Sequence, residues 1–94
     1  MSEMVSIGLP TYNKSWVIRD ALNGLLAQTY SNFELIISDN ASTDETEKIC
    51  KEYASRDSRI RYIRQEENIG ATANFEFVLQ KAHGEYFMWA TDDD

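Results

Sequence analysis

The sequence predicts an α/β fold, a doubly wound and mostly parallel four-stranded sheet in the order 3-2-1-4 with helices on both faces. Three observations predict it. Apolar runs of strand length alternate with stretches of helical periodicity in the order β-α-β-α-β-α-β. The second strand-like run, FELIISD, is apolar nearly throughout, the pattern of a strand covered on both faces. No internal repeat or low-complexity linker interrupts the series, so right-handed helical crossovers can join the strands.

Val5, Ile7 and Leu9 alternate with small residues in MVSIGL, and Pro10, the only proline, is expected to close this first strand. Ser15 is expected to open the first helix, in which Val17, Ile18, Ala21, Leu22, Leu25 and Leu26 recur at helical spacing as far as Gln28. The turn TYSN leads to FELIISD, which ends at Asp39. In NASTDETEKICKEYA, Ser42 and Glu45 have the spacing of a capping box, and Ile49, Cys50 and Tyr53 mark the inner face of a second helix. A polar connection over 56–59 precedes IRYIR, a short third strand. After the loop QEENIG, the residues Phe75, Val78, Leu79 and Ala82 mark a third helix that stops at Gly84, and EYFMWA is the fourth strand.

Ninety-four residues hold one core, and 43% hydrophobic with 27% charged residues is the balance of a folded domain. No apolar run approaches the roughly 18 residues of a membrane span, and the start lacks the basic region of an export signal, so the expected compartment is the cytoplasm. Cys50, the only cysteine, excludes an internal disulfide and reads as a small buried hydrophobe. Sixteen acidic against nine basic residues give a net charge of −7, which opposes binding to nucleic acid or to anionic membranes. An anionic ligand would need a cation to mediate its binding.

In a doubly wound sheet, ligands bind at the carboxyl ends of the strands where the winding reverses, here between the first and fourth. The segments at that edge are 10–14, 39–43, 64–70 and 91–94. Two of them carry carboxylates, Asp39 and the run Asp92, Asp93, Asp94. Adjacent carboxylates beside an apolar strand repel one another unless protons or a cation neutralise them. An all-oxygen donor set favours Mg²⁺ or Mn²⁺, which complete their shells with water and substrate phosphates. The metal reading therefore also predicts a phosphate ligand. Simpler readings stand beside it: a solvated acidic run, an Asp39 that only shapes a turn, Tyr12 and Trp89 as packing residues, and His83 as a partner of a helix carboxyl end. No Gly-rich phosphate loop, Cys/His metal spacing or Ser/His/Asp order is present. A receiver-type signalling domain would need an acidic pair after the first strand, where Pro10 and Thr11 stand.

Four segments in this order, VSIGLPTYNKSWVIRDALNGLLAQTY, FELIISDNASTDET, ENIGATAN and GEYFMWATDDD, resemble the amino-terminal half of family 2 glycosyltransferases with the Rossmann-like GT-A fold. They cover nearly the whole chain. The resemblance extends to bacterial enzymes that build surface polysaccharides, including the spore-coat type. It implies that Pro10, Thr11 and Tyr12 line a base and ribose pocket, that Asp39 accepts a hydrogen bond from the nucleobase, and that Asn68, Gly70 and Asn74 border the same pocket. It implies that Asp92, Asp93 and Asp94 form the "DXD" element, with Asp92 beside ribose and metal, Asp93 the principal metal ligand and Asp94 a supporter. The implied activity is metal-dependent, inverting transfer of a sugar from a nucleotide-diphosphate donor, by family frequency a UDP-sugar, to a hydroxyl of a carbohydrate or glycolipid acceptor. Such enzymes continue into an acceptor-binding half that holds the catalytic base. The chain is thus expected to be the nucleotide-binding half, with no catalytic base of its own, inactive alone. The fourth strand, 86–90, is expected to be an exposed apolar edge through which copies self-associate.

Overall fold

Seven elements follow one another in the computed structural model, which describes residues 3–28 and 30–91. Strand β1 spans Val5–Thr11, helix α1 Ile18–Leu26, β2 Phe33–Asp39, α2 Thr46–Arg56, β3 Ile60–Arg64, α3 Ala71–Lys81 and β4 Tyr86–Trp89. The strands form one sheet in the order β3-β2-β1-β4, and every pairing is parallel, as predicted. Thr11 pairs with Asp39 and Asp39 with Arg64, so three strands finish together at one edge of the sheet. Among the described residues β4 has no neighbour on its outer side, and Tyr86, Met88 and Trp89 are exposed there.

The two faces of the sheet are held differently. Ile7 and Leu9 of β1 and Leu35 and Ile37 of β2 pack with Ile18 and Leu22 of α1 and with Ile49, Cys50 and Tyr53 of α2 to form the main apolar core. Successive strand residues point to opposite faces, so Ser6, Gly8, Glu34, Ile36 and Ser38 meet the layer that contains α3. Asn74 and Val78 are the buried residues of α3. This corrects the expected inner face of that helix, since Phe75 and Leu79 are 42% and 51% exposed. The reason lies in the sheet beneath, whose serines, glycine and glutamate suit a polar partner. The Ser38 hydroxyl donates to Asn74 Oδ1 at 2.6 Å, and Asn74 Nδ2 donates to the Ser38 carbonyl at 3.0 Å. At Gly8 the approach is so close that a Cβ would lie 2.7 Å from Phe87 Cζ and nearer still to Val78 Cγ1.

At the amino-terminal end of this face, Glu34 is a buried carboxylate. It accepts hydrogen bonds from Ser6 Oγ at 2.6 Å, the His83 backbone N–H at 2.6 Å and Arg61 Nη1 at 3.1 Å. Burial pushes its pKa up, but these donors outweigh that effect and hold it below the usual carboxylate range. His83 therefore anchors to Glu34, with its Nδ1 3.7 Å from Glu34 Oε1, rather than to the last carbonyls of α3.

Several boundaries differ from expectation. Strand β1 runs through Pro10 to Thr11 because Pro10, like Gly8, directs its backbone toward β4, which has already ended; the Ala90 N–H still reaches the Gly8 carbonyl at 2.8 Å. Helix α1 begins at Ile18, after a turn in which the Val17 and Ile18 N–H groups donate to the Lys14 carbonyl, and ends at Leu26. The capping box does not form. Helix α2 begins at Thr46 because Ser42 bonds elsewhere: its hydroxyl accepts the Asn13 N–H at 2.8 Å, and its own N–H donates to Asp39 Oδ1 at 2.9 Å. Cys50 is fully buried, as expected. Among the described residues no helix is long and apolar enough to cross a membrane.

Candidate functional site

The loops at the carboxyl ends of β1 and β2 are clasped together. Asn13 N–H donates to Ser42 Oγ at 2.8 Å, Thr43 N–H to Asn13 Oδ1 at 2.8 Å, Lys14 N–H to Thr46 Oγ1 at 3.0 Å, and Ser15 N–H to Asp44 Oδ2 at 3.1 Å. Burial raises the Asp44 pKa, but the bonds from Thr46 and Ser15 prevail and bring it to about 2. Both loops contain a residue in the left-handed region, Asn13 at φ 50° and Ala41 at φ 65°. Asparagine tolerates that conformation, whereas at Ala41 it costs on the order of 1 kcal/mol, which the surrounding bonds sustain.

Between this clasp and the α3–β4 layer lies a cavity of about 510 Å³. Its wall includes Pro10, Thr11, Tyr12 and Lys14 from the end of β1, Asn40 from the end of β2, and Asn68 before α3. Asn74 and Phe75 of α3 and Trp89, Ala90 and Thr91 at the end of β4 complete it, with Ala71. The cavity thus sits where the winding reverses, between β1 and β4. Trp89 meets Phe75 edge-on with centroids 4.9 Å apart and Phe87 at 4.6 Å. It packs and lines the cavity at once. Lys14 is the one cation among the described lining residues, and its Nζ stands 5.6 Å from the centroid of the Trp16 ring.

The expected site residues divide accordingly. Pro10, Thr11, Tyr12, Asn68 and Asn74 line the cavity. Gly70 stands beside it at φ 90°, the residue from which α3 departs. Asp39 is fully buried and is not in the lining: Oδ1 accepts the Ser42 N–H, and Oδ2 accepts the Tyr62 hydroxyl at 2.6 Å. Burial, and then the bond to Asp39, push the Tyr62 pKa upward. Asp92, Asp93 and Asp94 lie outside the described residues, directly after the cavity-lining Thr91. Among the described residues no group of three or more His, Cys, Asp or Glu could hold a metal ion, and the described lining contains no carboxylate. These residues alone do not fit a divalent cation.

Sequence reasoning does not single out Lys14, Asn40 or Phe75 as lining residues. Lys14 and Asn40 fall within the edge segments 10–14 and 39–43 without a role of their own, and Phe75 has the spacing of a helix core.

The family model described as Glycosyl transferase family 2 matches residues 6–94. The TuaG protein of Bacillus subtilis, named for teichuronic acid biosynthesis, is 36% identical over 91 residues, covering 97% of this chain and 36% of TuaG. The crystal structure of Staphylococcus aureus TarS 1-349 in complex with UDP-GlcNAc superposes with a TM-score of 0.87 at 29% identity, over 95% of this chain and 26% of that one. The Pyrobaculum calidifontis mannosyltransferase PcManGT in complex with GDP-Man and Mn²⁺ gives a TM-score of 0.88 at 25% identity, over 99% of this chain and 28% of that one. The chain spans well under half of the length of the curated relatives it matches.

Proposed function

The chain belongs to glycosyl transferase family 2, and from that premise we propose that it forms the donor site of an enzyme that transfers a sugar from a nucleotide-diphosphate donor, a UDP-sugar, to a hydroxyl of a carbohydrate or glycolipid acceptor in polysaccharide or glycoconjugate synthesis. The observation that carries this is the cavity at the β1–β4 reversal, lined by Thr11, Tyr12, Asn68 and Asn74, in a chain that superposes on a UDP-GlcNAc complex. Tyr12 and Thr11 contact base and ribose, and the Asn68–Asn74 segment borders the same nucleoside. Asp39 lies buried behind the lining, and its role in base recognition, acceptance of the nucleobase N–H by a lone pair left beyond the bonds to Ser42 and Tyr62, requires the nucleotide to displace the groups that cover it. Lys14 faces the diphosphate as a point charge.

In this reading Asp92, Asp93 and Asp94 would hold Mg²⁺ or Mn²⁺, and the cation would supply positive charge against the diphosphate. Transfer proceeds with inversion, by attack of the acceptor oxygen on the anomeric carbon. The base that takes the acceptor proton belongs to the part of the relatives' length that this chain does not span, so the chain alone binds nucleotide without turnover. The enzyme acts in the cytoplasm.

Titration calorimetry with UDP and then GDP, with and without Mn²⁺, tests the reading. Binding of UDP that requires Mn²⁺ and is lost in Asp93→Ala is expected. Absence of binding by either nucleotide overturns the donor site, and equal binding after chelation overturns the metal's part in it.

A further inference from the structure

Asn40 is 4% exposed, and its carboxamide is almost fully committed to one neighbouring loop. Nδ2 donates to Asn68 Oδ1 at 3.0 Å and to the Gly70 carbonyl at 3.3 Å, while Oδ1 accepts the Ile69 N–H at 2.8 Å. Asn68 Oδ1 also accepts the Gly70 N–H at 2.8 Å, which closes the network on itself. A primary amide has two donors and two acceptor lone pairs, so the Asn40 side chain keeps one lone pair uncommitted. Its backbone is fixed as well, since its N–H donates to the Thr11 carbonyl at 2.9 Å. One side chain at the end of β2 therefore grips residues 68–70.

The gripped loop leads directly into α3. That helix departs from Gly70, at φ 90°, with no side-chain cap of its own. A glycine in that region leaves the direction of the first turn weakly determined by local chain preference. Ala71, Asn74 and Phe75, which line the cavity, ride on that turn. We propose that Asn40 is a positioning residue: it fixes the wall formed by residues 68–75 against the rim at 10–14, and it sets donor affinity through that wall rather than through a bond of its own to the nucleotide. The proposal rests on the donor-site reading above.

The 94-residue chain is suited to amide hydrogen exchange by NMR, combined with calorimetry using UDP and Mn²⁺. In Asn40→Ala, exchange at Ile69 and Gly70 accelerates about tenfold or more, beyond any change at Leu35 and Ile37, and UDP affinity per folded molecule falls about tenfold. Asn40→Asp keeps the acceptor for the Ile69 N–H but loses both donors, so Ile69 stays protected while affinity still falls. Adding Asn68→Ala to Asn40→Ala lowers affinity by less than the sum of the two single effects, because the two side chains act through one network. Protection at 69–70 as in the wild type, unchanged affinity per folded molecule, or strict additivity each overturns the proposal. If the wild type fails to bind UDP with or without Mn²⁺, the donor-site reading falls, and the exchange pattern by itself decides whether Asn40 fixes the loop.

Discussion

Substituting Gly8 by alanine puts a methyl group where the sheet and α3 touch. The new Cβ would stand 2.7 Å from Phe87 Cζ and 3.2 Å from Phe87 Cε1, with Val78 Cγ1 closer than either. Ordinary contact begins near 3.4 Å, so Val78 and Phe87 must both retreat. Val78 is fully buried and β-branched within a helix, where one rotamer dominates, so relief comes from lifting α3 rather than from turning the side chain. Overpacking of this kind costs about 1–3 kcal/mol. For a domain of this size, each kcal/mol corresponds to roughly 4–8 °C, so the melting temperature should fall by roughly 5–20 °C. Urea unfolding followed by circular dichroism measures the loss. Val78→Ala removes the nearer methyl, so the double variant should be more stable than the sum of the two single losses predicts. Lifting α3 also shifts Asn74 and Phe75, so UDP affinity per folded molecule should fall in Gly8→Ala. Stability within about 0.5 kcal/mol of the wild type, or strictly additive losses in the double variant, would refute the close approach of α3 to β1.

Three further outcomes are expected. Asp39→Asn retains an acceptor for the Ser42 N–H, and the Tyr62 hydroxyl can rotate to accept from the new amide, so melting should barely change while UDP affinity falls by about 1–3 kcal/mol; unchanged calorimetric affinity would leave Asp39 with a turn-forming role only. The Glu34 pKa in the folded chain lies below its reference of 4.5, so the stability it contributes is complete above that pH and is lost as the pH falls through the folded value. Denaturant unfolding from about pH 6 to about pH 3 should therefore show a steeper acid loss in the wild type than in Glu34→Gln, and parallel curves would contradict the assignment. Copies of the chain should self-associate through β4, whose Met88 is 44% exposed, and Met88→Lys should suppress it. A wild type that remains monomeric in light scattering across a concentration series would dismiss that edge as an interface.

The sheet order was legible because strands that alternate with helices pair in parallel through crossovers, for which 3-2-1-4 is the common doubly wound order, and all seven residues of β2 are indeed buried inside the sheet. Strand ends and the reversal of winding place the segments 10–14 and 64–70 at the site, whereas the resemblance to family 2 glycosyltransferases singles out Thr11, Tyr12, Asn68 and Asn74, the last from outside those segments. Periodicity identified α3 and its buried Val78 but not the rest of its inner face. Phe75 and Leu79 have the spacing of a core stripe, but a strand face of serine, glycine and glutamate selects Asn74 instead, and a helix cannot be read without the surface it meets. The Ser42–Glu45 spacing failed for a related reason: a partner distant in sequence, Asn13, claims the Ser42 hydroxyl. Asn40 escaped notice because its role depends on residues 28 to 30 positions away.

The unequal faces of the sheet also imply an order of opening. The layer of α1 and α2 is bonded to it by a continuous apolar core, whereas α3 is attached through Val78, Asn74 and the hydrogen bonds around Ser38, Glu34 and Asn40. Polar attachments of that kind are the ones that water can replace, so α3 and β4 should form the lower-stability cooperative unit, with the clasped loops belonging to the higher one. The cavity lies across the seam between the two units. A nucleotide seated there bonds to both, so it should raise the free energy of opening of α3 far more than that of β2, and the part of the molecule that gains most rigidity is the part that the apolar core holds least.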